Sequence, residues 1–387
     1  MEILAPVGDQ AMLQAAINAG ADSIYFGIKE FNMRDSAKNF TIEEVKAFPE
    51  IKKYLTINTI IYDEELDRVK EVLTELKDHI DAVICWDLAV IKIAKELEIP
   101  VHLSTQASVA NLKAIEQYKE LGVERVILAR ELNINQIKKI KDSNIEIEVF
   151  CHGAMCVSYS GRCFLSQHLF QRSANRGKCI QPCRREYKIT DTEENKELKL
   201  GQGYIMSPKD LCTLPFLDQL QFVDCIKIEG RAKTPEYVDT VVRTYKKALT
   251  LIKNNEFTEE NKNALLEELK TAYNRGFHSG FYLGKPFNEF TESEGNISKT
   301  KKIQIGKVIN FYKEHGVAAI QLYKDLKLKD QIMFVGNKTG VIKQEVKELQ
   351  INHKQVDKAS KCLVGIKTEK KVRENDKVYL IENISHE

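Results

Sequence analysis

The chain has 387 residues, too many for one average domain and suited to a large domain plus a smaller one. Hydrophobic residues make up 43%, enough for a sizeable core, and the formal net charge is only +2. No stretch reaches the ~20 apolar residues that span a bilayer, and the opening MEILAPVGDQ has neither the basic segment nor the apolar run of a secretory signal. These features exclude a helical membrane span and predict a cytoplasmic protein, where nine cysteines point to metal or redox chemistry rather than to disulfides.

The first 230 residues alternate short β-branched runs with helical stretches. The helix Gln10–Ala19 precedes a strand over residues 21–27. Strand 55–59, helix 63–77, strand 82–85, helix 88–97, strand 100–104, helix 108–121, strand 125–128, helix 134–142 and strand 145–150 follow. This alternation predicts βαβ units and a parallel sheet. The absence of GxGxxG after the first strand favours a (β/α) TIM-like barrel over a doubly wound sheet. Residues 151–185 break the rhythm and read as a long cysteine-rich loop folded around something. The barrel is expected to resume at Ile205-Met206, with a helix whose first turn holds Asp210. A last strand over 222–229 leads to a helix opened by Thr234-Pro235, N-cap and N1. Helix 259–273 and a connector over 274–299 complete a domain of residues 1–300. From Lys301 to Glu387 short alternating strands predict a small β-barrel. That tail holds 18 Lys and Arg against 11 Asp and Glu, an excess that points to a polyanionic partner.

Chemistry in such barrels sits at the C-terminal ends of the strands. The rule selects Asn58, Thr59, Trp86, Asp87, Ser104, Thr105, Gln106, Arg130, Glu131 and His152 as a ring at one mouth. Lys227 and Glu229 share one face of the last strand and could pair there.

Cys156, Cys163, Cys179 and Cys183 fall in a 28-residue window as C-x6-C-x15-C-x3-C. Four thiolates are the complement of one iron–sulfur cluster, and the same four could hold zinc. Only Cys179 and Cys183 have the short spacing of a zinc knuckle, so the pattern favours a cubane. Cys85, Cys225 and Cys362 lie in apolar runs and read as core, whereas Cys151 and Cys212 are possible neighbours of the site. The window also carries Arg162, Arg172, Arg176, Lys178, Arg184 and Arg185, suited to an anionic substrate or an RNA backbone. A proteolytic reading finds neither GxSxG nor HExxH. A Cys156–His152 pair, four residues apart on a helix, would leave the other three cysteines unexplained.

The run from His152-Gly153-Ala154-Met155-Cys156 to Gly161-Arg162-Cys163 resembles the signature of the peptidase U32 family, the collagenase-like proteases. Residues 172–179, Gln181-Pro182-Cys183-Arg184, Leu4-Ala5-Pro6-Val7-Gly8, Ser207-Pro208-Lys209-Asp210-Leu211 and Lys227-Ile228-Glu229-Gly230-Arg231 extend the resemblance over nearly the whole chain. It implies that the β-rich tail is similar to domain two of elongation factor Tu. It also implies one of two activities. One is proteolysis. The other is tRNA hydroxylation, giving 5-hydroxyuridine at the wobble position, in association with prephenate and a [4Fe-4S] cluster. Other relatives hydroxylate ubiquinone precursors or a ribosomal RNA cytidine. Under the hydroxylase reading the four cysteines hold the cluster, and His152, Asp87, Lys227 and Glu229 are the catalytic candidates. Asn58, Gln106, Arg162, Arg176 and Arg184 are the substrate-binding candidates. The implied partners are tRNA and a second family subunit.

Overall fold

A computed structural model describes residues 1–198, 204, 206–285, 289–293 and 295–384. Eight parallel strands close into a barrel. They are β1 (Glu2–Val7), β2 (Ser23–Phe26), β3 (Lys52–Thr56), β4 (Ala82–Cys85), β5 (Val101–Leu103), β6 (Val123–Ile127), β7 (Glu146–Ala154) and β8 (Cys225–Ile228). Each pairs with the next, and β8 pairs with both β7 and β1, which closes the ring. β1 is absent from the sequence expectation, because its six residues include Pro6 and lack a preceding helix to set the rhythm.

Most strand residues are buried on both faces. Leu4, Tyr25, Tyr54, Ala82, Ile84, Ile127 and Cys225 fill the lumen. The outer faces pack on a ring of helices that includes α1 (Gln10–Ala19), α2 (Ile42–Lys46), α3 (Leu66–Leu76), α4 (Leu88–Glu96), α5 (Leu112–Glu120) and α6 (Ile134–Lys141). After the short α7 (Leu165–Phe170), the 19-residue α8 (Pro235–Lys253) packs on α1 and on β1, and α9 (Glu259–Leu269) packs on α8. Pro235 supplies the helical φ that starts α8, but the Thr234 side chain makes no capping bond.

One expectation needs correction. Asp210 opens no helix: Asp210–Cys212 is a short strand, antiparallel to the end of β7, and Phe277–His278 adds to its far edge. β7 is the longest barrel strand and runs on to Ala154, so its free end offers an edge that captures this segment. Within the expected resumption at Ile205-Met206, Ile205 lies outside the described residues.

The second sheet begins at Thr300. Eight antiparallel strands and a separate two-stranded pair surround one apolar core that includes Ile320, Phe334 and Ile366. This domain sits against α1 through Ala15, Met333 and Val341. Gly340, at φ +68°, meets the α1 backbone so closely that a Cβ would lie 2.9 Å from Ala15 N. Asn18 Nδ2 donates to Thr339 O at 3.0 Å, and Lys343 Nζ donates to Thr240 Oγ1 at 2.8 Å, which extends the contact to α8.

Candidate active site

The N-terminal end of the lumen is a closed charge network. Arg125 reaches Glu2 at 2.9 Å, Glu146 at 2.7 Å and Glu148 at 3.4 Å. Lys227 pairs with Glu148 at 2.9 Å beneath the Tyr25 ring. Glu148 is wholly buried. Lys227 and Glu229 do not pair with each other: two residues on, just past the end of β8, Glu229 meets Arg34 at 3.1 Å.

Above this network the C-terminal mouth holds a cavity of about 150 Å³. Asn58, Gln106, Arg184, Lys227 and Glu229 line it, as do Cys156, Cys179 and Cys183. Asn58 is set by its neighbours: its Oδ1 accepts from Met33 N–H at 3.1 Å and its carbonyl from Trp86 Nε1–H at 2.9 Å. Gln106 is buried against the Ser104 hydroxyl.

The cysteine segment folds over this mouth as a lid. Its route is fixed by arginines, each using its fork on a different part of the rim. Arg162 lies over Trp86, 5.0 Å from the ring centre, and donates to Gln106 O at 3.2 Å. Arg176 pairs with Glu65 at 2.8 Å and lies over Tyr62. Arg184 donates to Met155 O at 2.6 Å and to Ser207 Oγ at 3.1 Å. Gly177, at φ +83°, passes so near Asn32 O that a Cβ would sit 2.4 Å away.

Cys156 is exposed and the other three cysteines of the lid are half-buried. Leu165 N–H points at Cys163 Sγ and Gln181 N–H at Cys179 Sγ, each at 3.4 Å. Burial, above all, raises the Cys183 thiol pKa. The Arg184 charge opposes this, and the nearby Cys156, Cys179 and Cys163 add to it. Four thiols thus share one electrostatic neighbourhood, with backbone N–H groups aimed at two of the sulfurs, as sulfur-ligated clusters require. Among the described residues no three His, Cys, Asp or Glu side chains converge as they would around a single metal ion.

Four predicted roles change, the first at Arg162, which does not line the cavity and instead ties the lid to Gln106 and Trp86. His152 does not face the cavity. The β7–β8 register slips between Lys227 and Ile228, and His152 turns outward to stack on Tyr245 and Tyr237. Burial pushes its pKa down to about 3. Because this segment is a strand rather than a helix, no Cys156–His152 pair forms. Asp87 caps α4 by accepting from Ala89 N–H at 2.9 Å and does not line the cavity. Arg176 is neutralised by Glu65 and anchors the lid instead of offering its fork to a ligand. Cys151 and Cys212 sit behind the wall near Tyr245, away from the cavity.

Sequence reasoning also missed cations. Arg34 comes from the loop after β2, a position that the strand-end rule reaches but that carries no motif. Arg231, buried, donates to Thr56 Oγ1 at 2.9 Å. Lys233 lies 3.3 Å from the Tyr273 ring centre, and burial brings its pKa down to about 8. It faces a cleft of about 790 Å³ between the barrel rim and the second domain, lined also by Arg275, Lys302 and Lys343. Arg34 and Glu229 border both the cleft and the cavity.

No helix among the described residues is long and apolar enough to cross a membrane. A protein of Methanocaldococcus jannaschii named as an uncharacterized protease is 42% identical over 99% of this chain and 98% of its own length. A Porphyromonas gingivalis protein named collagenase is 42% identical over 98% of this chain and 97% of its own. A Bacillus subtilis protein named tRNA hydroxylation protein P1 is 35% identical over 87% of this chain and 83% of its own. The model of peptidase family U32 matches residues 8–292, and with relatives of this similarity along most of its length the chain belongs to that family.

Proposed function

We propose that this chain is an RNA-modifying hydroxylase that places oxygen on C5 of the wobble uridine of tRNA, with prephenate as anionic cosubstrate and a [4Fe-4S] cluster on Cys156, Cys163, Cys179 and Cys183. One observation carries the reading: four thiols gathered in a lid over the C-terminal mouth of a barrel, three of them lining its cavity. Only Cys179 and Cys183 have the short spacing of a zinc knuckle, which favours a cluster over zinc. When bound, such a cluster would supply electron transfer. The chain's own residues bind and orient. Asn58 and Gln106 present amides that can hydrogen-bond the edges of a flipped base, which no enzyme reaches inside a stack. Lys227, held by Glu148, closes the floor, and the Arg34–Glu229 pair stands where cavity and cleft join. The basic cleft suits the flanking phosphates, whose neutralisation dominates RNA affinity. The names of the Bacillus subtilis relative and of an Escherichia coli ribosomal RNA 5-hydroxycytidine synthase, 34% identical over 65% of this chain, support RNA hydroxylation as the reaction class.

Peptidase activity is the second reading, favoured by the names of the 42% identical relatives. The site offers it little. Cys156 lacks the His152 base, and no described group is arranged to hold the metal ion that would activate water.

Protein purified without oxygen is expected to be brown, with iron and sulfide near the roughly 4:4 ratio of a cubane. Replacing any of the four cysteines by Ser should remove most of both. Loss of 5-hydroxyuridine from the tRNA of a deletion strain, restored by the wild-type chain and not by Cys156→Ser, is the functional test. Unchanged nucleosides alongside casein cleavage would move the assignment to peptidase.

A further inference from the structure

Arg130 follows β6 at the mouth. Its Nη1 donates to Ala154 O at 3.0 Å, and its Cζ lies 4.7 Å from the centre of the Phe150 ring. Its Nε and Nη2 are shielded from solvent and have no acceptor among the described residues. These two nitrogens share one edge of the guanidinium, the side-on fork that grips a planar carboxylate with two parallel N–H···O bonds. Leaving such a buried donor unpaired costs about 1–3 kcal/mol, and more when it is charged. A fork held rigid by a carbonyl and a ring, yet left open, is arranged for an absent acceptor.

A second orphan lies beside it. His278 Nδ1 accepts from Gly280 N–H at 3.2 Å, so its lone pair is used there and the proton sits on Nε2. Burial, then the Arg130 charge, pushes its pKa down to about 4, so the ring is neutral at pH 7. Among the described residues its Nε2 is buried without a side-chain or backbone acceptor at hydrogen-bond geometry, and the Lys209 backbone lies near the ring. Arg130 and His278 both line a cavity of about 470 Å³, which adjoins the 150 Å³ cavity at Arg130, Met155, Cys156 and Ser160. Pockets for small molecules run to roughly 300–1,000 Å³. Met155, Phe281 and Phe290 give this one apolar walls, and Glu131 and Glu289 stand at its lining too. Two carboxylates disfavour a doubly charged phosphate and tolerate a singly charged ligand with an apolar body.

We propose that this cavity binds a small organic carboxylate, its oxygens on the free edge of Arg130 and on His278 Nε2–H, and its apolar body against Met155, Phe281 and Phe290. The inference stands on the orphaned donors and is independent of the reaction assigned to the cysteines.

Titration of the full chain, purified without oxygen, with benzoate and with phenylacetate tests it by calorimetry. At least one should bind. Arg130→Lys keeps the charge and removes the fork, and it should weaken binding about tenfold. His278→Phe should weaken it about fivefold, roughly one neutral hydrogen bond. Inorganic phosphate should not displace the bound carboxylate. The proposal is overturned if neither probe binds, if phosphate displaces them with equal or better affinity, or if both variants bind as wild type. Should Arg130→Lys melt below the assay temperature, His278→Phe and the phosphate competition decide. An unmodified tRNA pool would sink the hydroxylase reading and leave this result untouched.

Discussion

At the N-terminal end of the barrel Arg125 divides its guanidinium among Glu2, Glu146 and Glu148, whereas at the C-terminal end Arg130 keeps an entire edge free. Arg125 lies within β6 and Arg130 just beyond its end, and both have an aromatic ring near the guanidinium. The difference lies in what faces them. Three acidic side chains meet Arg125, so its charge is fully answered inside the protein. The Phe150 ring and the Glu229 and Glu131 charges surround Arg130, but among the described residues its one hydrogen-bond acceptor is Ala154 O. A barrel needs its interior filled at one end and accessible at the other. Paired charge serves the first need, and unpaired donors aimed at a cavity serve the second. Lys227 links the layers: Glu148 holds it from below, while it lines the cavity above.

The sharpest way to break the comparison is at the closed end. Arg125→Met leaves Glu148 with Lys227 alone and Glu2 with the Ser23 and Tyr54 hydroxyls, and should cost about 3 kcal/mol in urea unfolding. A loss under about 1 kcal/mol would show that water already reaches these carboxylates. Next in size is the behaviour of the buried histidine that the β7–β8 slip turned outward. The folded pKa of His152, about 3, lies below the ordinary histidine value of 6.5. The unfolded chain therefore takes up more protons between those two values. Its contribution is complete above pH 6.5 and is lost as pH falls toward 3. His152→Phe should flatten the stability profile by about 1.4 kcal/mol per pH unit below pH 6.5. Over pH 6.5 to 5 that is about 2 kcal/mol, and activity per folded molecule should hold. A profile that keeps its slope while activity vanishes would return His152 to the chemistry. The smallest effect is expected at the lid. Arg176→Ala removes a partly exposed pair and should cost about 1 kcal/mol or less, after allowing for solvent screening. Hydrogen exchange should then quicken in residues 158–185 and stay unchanged in β1 to β8. Uniform exchange would mean that Glu65 does not hold the lid.

Several features could be read without coordinates. Alternation of helix and strand gave nearly every barrel element to within a few residues, because a parallel strand buried on both faces leaves a short apolar run bounded by turns. The C-terminal antiparallel sheet was legible as a change of period from helical to alternating. The strand-end rule found Asn58, Gln106, Lys227 and Glu229, all of which line the cavity. It failed at His152, where a one-residue slip reverses the facing of a side chain and leaves no mark in composition. It failed at Asp87, and the reading of the basic cysteine window failed at Arg176, because the partner that claims each, the first turn of α4 or Glu65, is a matter of local geometry. His278 lies in a stretch that carries only glycine and phenylalanine as signals, and it matters solely through what it faces.

The order of residues alone determined a parallel barrel, a β-rich second domain and a cysteine quartet, since periodicity and spacing are properties of a line. Folding decided which arginine is satisfied and which is left wanting, because a charge acquires its partners only when distant segments are brought within about 3 Å of it.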